Sequence, residues 1–127
     1  MHMGRDEINA LSRRVIGCAF TVLNTLGPGF LEKVYENALA HEMRKQGLDL
    51  EQQHPVRVHY DNVIVGEYFT DIIVEGRLII ELKVAKSFDD AHRAQCLNDL
   101  KASGLKLGLL LNFSKPRLEI ERMANGL

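Results

Sequence analysis

Residues 105–113 form a nearly continuous apolar run containing Leu107, Leu109, Leu110 and Leu111, between Gly104 and the later Pro116. A run of this length fits a β-strand buried on both faces, and such strands sit inside sheets covered by helices. The 127 residues suit one domain, taken here as residues 4–127.

The first half supplies helices. Ile8, Leu11, Val15, Cys18, Ala19, Val22 and Leu26 recur at helical spacing, with Asp6 as the expected N-cap. Gly27-Pro28-Gly29 ends that helix. It is no dinucleotide fingerprint, because it follows a helix and lacks the third glycine. A second helix is expected over residues 29–46, with Leu31, Val34, Tyr35, Ala38 and Leu39 on one face. Glu32 falls at the margin of that face, where a carboxylate can look into a cleft.

After Gly47 the period becomes two. Val56, Val58 and Tyr60 alternate with Arg57 and His59, and Asp61-Asn62 is a turn signal. Strands are expected over residues 63–74 and 78–84, joined at Glu75-Gly76, so that three strands form an antiparallel meander. A third helix is expected to start at Ser87, to carry Ala94, Leu97 and Leu100 inward, and to stop at Gly104. Leu118, Ile120 and Arg122 suggest a last edge strand.

Sixteen basic and seventeen acidic residues nearly cancel, so there is no global charge signal for nucleic acid. No apolar run is long enough to span a membrane, and the N-terminus lacks a signal-peptide stretch. Met1-His2 before Met3 reads as a cloning remnant. Cys18 and Cys96 form no C-x-x-C pair and read as reduced core thiols of a cytoplasmic protein. His41, His54 and His59 show no zinc spacing.

The stretch that carries chemistry is Asp71, nine residues, then Glu81-Leu82-Lys83. Glu81 and Lys83 are two apart on a strand and share a face. Asp71 joins them only if the hairpin loop is odd. A two-residue loop at Glu75-Gly76 sets Asp71 opposite Ile80 and on the other face. A three-residue loop, Val74-Glu75-Gly76, sets it opposite Ile79 and diagonal to Glu81. Carboxylates gathered on one face favour a hard cation such as Mg²⁺, and a lysine beside them can hold a water or a phosphate oxygen. The competing reading is a cross-strand ion-pair ladder of Asp71, Glu81 and Lys83.

These residues resemble the signature of the PD-(D/E)XK nuclease superfamily, and the element order resembles its αβββαβ core, a mixed central sheet flanked by helices. The resemblance narrows to small bacterial GxxExxY proteins, whose motif reads here as Gly29-Phe30-Leu31-Glu32-Lys33-Val34-Tyr35. Ile80-Glu81-Leu82-Lys83, His92-Arg93-Ala94-Gln95 and residues 104–113 are similar too. The likeness implies Asp71 and Glu81 as ligands of Mg²⁺ or Mn²⁺, with Glu32 completing the acidic set. It implies Lys83 as the catalytic lysine and Gln95 as the helix glutamine beside the site. Related nucleases often carry Tyr four residues after that glutamine; this chain has Asp99.

Lys86 and Arg93 are expected to meet substrate. Tyr35 reads first as core and second as a substrate contact. The expected function is a metal-dependent nuclease, with DNA ahead of RNA as partner. Two alternatives stand beside it: a nuclease fold kept only to bind nucleic acid or a protein, and an oligomeric scaffold. By size alone, the chain would hold both sides of a duplex more easily as a homodimer.

Overall fold

The computed structural model describes residues 4–127, so the cloning-remnant reading of Met1-His2 lies outside the described residues. The elements run α1 (Arg5–Leu26), α2 (Glu32–Lys45), β1 (Leu50–Tyr60), β2 (Val63–Val74), β3 (Leu78–Lys83), α3 (Asp90–Ser103), β4 (Leu107–Asn112) and β5 (Glu119–Ala124). The five strands form one sheet in the order β1-β2-β3-β4-β5. The first three make the expected antiparallel meander. β4 returns parallel to β3 after the α3 crossover, and β5 closes the other edge antiparallel to β4. This is a restriction-endonuclease-like mixed sheet flanked by helices.

One face of the sheet carries Ile72, Val74, Leu78, Ile80, Leu82, Leu107, Leu109 and Leu111, packed with Val15, Ala19, Leu39 and Met43 of α1 and α2. Each such leucine or isoleucine contributes about 1.5–3 kcal/mol by leaving water. The other face is covered by α3, which crosses at Gly108: a Cβ placed there would lie 2.7 Å from Cys96 Sγ and 3.6 Å from Leu100 Cδ1. β4 is thus buried on both sides along its whole length, as its apolar run implies. Both cysteines are free thiols buried in these layers.

Several boundaries differ from the sequence reading. α1 is capped by Gly4 rather than Asp6. α2 starts at Glu32, not at residue 29, because Gly29 takes φ 113°, outside helical space. β1 begins at Leu50, six residues before the visible alternation; residues 50–55 belong to an edge strand whose polar side chains give no period-two pattern. Pro55 is tolerated there because an edge strand has one unpaired side. α3 is capped by Asp89 rather than Ser87: Asp89 accepts from the His92 N–H, and His92 Nδ1 accepts from the Asp89 N–H. Its buried face carries Cys96, Asp99 and Leu100, leaving Ala94 exposed and Leu97 half-buried. The weak apolar period of this helix hid that rotation.

Candidate active site

β2 and β3 pair for only three rungs, Val74 with Leu78, Ile73 with Ile79 and Ile72 with Ile80. The loop between them is Glu75-Gly76-Arg77, three residues, two of them left-handed at φ 54° and 63°. An odd loop was required, but it lies one residue further along than Val74-Glu75-Gly76. The shift matters: continuing the register sets Asp71 opposite Glu81 itself.

At that rung side chains replace the ladder. Asp71 Oδ2 accepts the Leu82 N–H at 2.7 Å, taking the place of a strand carbonyl. Thr70 Oγ1 donates to Glu81 Oε1 at 2.9 Å in a buried setting. The fork between β2 and β3 therefore opens where the acids sit.

Gln53 holds Asp71 from the far side, and Gln52 joins it on Glu36. Gln53 interrupts the β1–β2 register with φ 53°, and its Nε2 donates to Asp71 Oδ1 at 3.4 Å and to Glu36 Oε1 at 2.9 Å. Gln52 Nε2 donates to Glu36 Oε2 at 2.7 Å, and Lys33 Nζ lies 3.0 Å from the same oxygen. Glu36 is buried on α2 and links that helix through Gln53 to Asp71. Sequence reasoning missed it. Its only signal was its place beside Tyr35, one turn after Glu32.

Burial pushes Asp71 up first of all; Glu36 raises it further, while the Leu82 N–H, Lys83 and Gln53 pull it down. Glu81 is pushed up to about 9, chiefly by burial, then by its hydrogen bond to Asp99 and the charge of Asp71. Glu81 is thus the protonated member and donates to the Asp99 carboxylate. Asp99 is itself raised by burial, and its Oδ2 is buried without a partner. The cluster pushes the neighbouring Cys96 thiol up to about 12, burial leading and Glu81 and Asp99 adding to it.

Glu32 occupies the first position of α2, half-buried. Burial raises its carboxyl most, Asp71 adds to the rise, and Lys83 opposes it. Lys83, half-buried at the end of β3, therefore shares one electrostatic field with Glu32, Asp71 and Asp99. Buried Asn112 fixes the chain just beyond it: its amide donates to the Ala85 carbonyl at 2.7 Å and its Oδ1 accepts the Ala85 N–H at 3.1 Å.

Other expected residues fall elsewhere. Tyr35 as a substrate contact is corrected: its ring is fully buried, stacked on Phe113 at 4.9 Å between centroids. Its hydroxyl donates to the Gly27 carbonyl at 2.6 Å and accepts the Phe30 N–H at 3.2 Å. It braces the Gly27–Leu31 turn rather than facing solvent. Gln95 is exposed on α3, one turn before Asp99, and Lys86 is exposed. Arg93 is engaged by Glu121 at 2.6 Å and Asp90 at 3.0 Å. Among the described residues, no three His, Cys, Asp or Glu side chains gather closely enough to hold a metal ion, so Glu32 does not join Asp71 and Glu81 in a three-acid cluster.

A mixed five-stranded sheet with acids and a lysine at the fork of its central hairpin defines a restriction-endonuclease-like protein. The profile of the PD-(D/E)XK nuclease superfamily matches residues 9–123, and the chain belongs to that superfamily. The crystal structure of SSO0001 is similar in fold, with TM-score 0.56 and 15% identity over 75% of this chain. The match spans 50% of that protein's chain. A comparison with curated proteins gives no match.

Proposed function

We propose that this chain is a Mg²⁺- or Mn²⁺-dependent nuclease of the GxxExxY kind, cutting phosphodiester bonds of DNA ahead of RNA in the cytoplasm. The observation that carries the reading is the meeting of Asp71, Glu81 and Lys83 where β2 leaves β3.

The donor set suits a hard cation. Mg²⁺ is commonly held by one or two carboxylates and keeps several waters, so Asp71 and Glu81 suffice without a three-acid cluster. A Glu81 carboxyl that keeps its proton up to about 9, beside a partnerless Asp99 oxygen, marks a place where negative charge lacks compensation. A bound cation would polarise the phosphoryl group and ease ionisation of water there. Lys83 would donate to the attacking water or to a phosphate oxygen. Glu32, raised and half-buried, would take up a proton at the rim. Water attacks phosphorus and gives its proton to a carboxylate, while the bond to the leaving oxygen breaks and that oxygen takes up a proton from solvent water.

The Glu81–Asp99 bond favours a second reading, a nuclease fold that binds without cutting, because it occupies the acid that would hold the cation. One experiment separates the two. Plasmid, single-stranded DNA and RNA are incubated with Mg²⁺, Mn²⁺ or EDTA, with Glu81→Ala and Lys83→Ala beside the unaltered chain. Metal-dependent cleavage that disappears in both variants supports the nuclease. No cleavage, together with no rise in melting temperature on adding Mn²⁺, supports the binding module.

A further inference from the structure

α3 turns one narrow stripe toward the candidate site. At about 100° per residue, its residues His92, Cys96 and Asp99 fall within roughly 60° of one another. Each is tied to a different part of the site. Asp99 is hydrogen-bonded to Glu81. Cys96, its thiol raised first by burial, lies in the field of Glu81, Asp99 and Lys83. His92 reaches across to α2: burial raises the Glu32 carboxyl, and Lys83 and His92 both oppose that rise. Glu32 on α2, Lys83 on β3 and His92 on α3 therefore share one electrostatic neighbourhood. The His92 ring is mostly covered, with 21% of the side chain exposed, and it meets Phe88 edge-on with centroids 6.4 Å apart.

The cap of α3 decides which ring nitrogen is left to act. His92 Nδ1 accepts the Asp89 N–H at 3.2 Å, while Asp89 Oδ1 accepts the His92 N–H at 2.8 Å. An Nδ1 that accepts carries no hydrogen, so the hydrogen of the ring sits on Nε2. That tautomer argues against a cation ligand: Nε2 would need a bare lone pair, and moving the hydrogen to Nδ1 would break the cap. It suits an anion that takes an N–H donor. We propose that His92 Nε2–H donates to a nonbridging oxygen of the substrate phosphate that Lys83 meets from β3. The inference rests on the reading of this site as one for nucleic acid. A phosphate drawn in by a cation among carboxylates still has oxygens to satisfy. Lys83 supplies one donor and His92 a second from another element, which fixes how the phosphate is turned. A second fixed cation in place of His92 would pair with Glu32 instead.

Two substitutions separate the cap from the ring nitrogen. Asn places an amide oxygen where Nδ1 stands and leaves nothing at the Nε2 position. Gln carries an amide N–H as far as Nε2. Affinity of the full chain for short labelled DNA, single- and double-stranded, is measured by fluorescence anisotropy with Ca²⁺. Single-turnover cleavage of the same DNA is measured with Mg²⁺ or Mn²⁺. His92→Asn is expected to melt close to the unaltered chain and to bind at least about tenfold more weakly, the scale of one hydrogen bond to a charged oxygen. Cleavage should fall by at least as much, and His92→Gln should recover part of both. Imidazole ¹⁵N shifts of the free chain should show the hydrogen on Nε2. Weakened binding in His92→Asn, from a chain that cuts nothing, would sink the nuclease reading and keep this contact. His92→Asn equal to the unaltered chain in affinity and rate would overturn the contact and leave the nuclease reading standing. Hydrogen found on Nδ1, or a Gln variant no better than Asn, would also overturn the contact. A chain that binds no DNA at all would overturn both.

Discussion

The carboxyl of Glu81 on β3 is hydrogen-bonded to the carboxylate of Asp99 on α3, with both side chains buried. Two acids share one proton there because neither can ionise cheaply beside the other away from water. Thr70 completes the grip on Glu81 from β2. Three elements thus converge on one carboxyl.

That grip makes the cation-free protein sensitive to alkali. An acid whose pKa is higher in the fold than in the unfolded chain holds its proton after the unfolded chain has released it. Its stabilisation is complete below the unfolded value near 4.5 and is lost as pH rises toward about 9. Asp71, Asp99 and Glu32 are shifted the same way. In EDTA, melting temperature is expected to fall steadily from pH 5 to pH 9, and Glu81→Gln should flatten much of that slope. An unchanged slope in Glu81→Gln would show that the carboxyl does not hold its proton in the fold.

Loss of Lys83 should leave the fold and cation binding in place while abolishing cleavage. Removing a single charge-stabilising group typically costs about a hundredfold to a thousandfold in rate. Lys83→Ala is expected to fall by at least that much, with a Mn²⁺-induced rise in melting temperature still present. Asp71→Asn should lose both the rise and the cleavage.

Tyr35 predicts an effect on stability rather than on substrate. Tyr35→Phe removes the bond to the Gly27 carbonyl and leaves the Phe30 N–H without its acceptor. Chemical denaturation should show a loss of about 1–2 kcal/mol. The KM for any substrate should not move, because the ring is fully buried.

Gly108 predicts a steric coupling between β4 and α3. The methyl of Gly108→Ala would stand 2.7 Å from Cys96 Sγ. A loss of about 1–3 kcal/mol is expected in denaturant melts. Cys96→Ala in the same chain should recover part of it by removing the sulfur; a strictly additive double variant would mean that the strain lies elsewhere.

By itself the sequence determined the elements and the acids. Period and punctuation suffice for α1, for the meander and for a doubly buried β4, since each rests on which face of a local element meets water. The Asp71…Glu81-x-Lys83 spacing and the Gly29–Tyr35 motif pointed to the candidate site for the same reason: they are short-range. Only the tertiary structure decided the register that sets Asp71 against Glu81, because a three-residue loop can be drawn at two places in one sequence. It alone rotated α3 so that Asp99, not Leu97, lies inward, and brought Glu36 through Gln53 to Asp71. Those contacts join residues 10 to 35 positions apart, and no local pattern records a partner that arrives from another element.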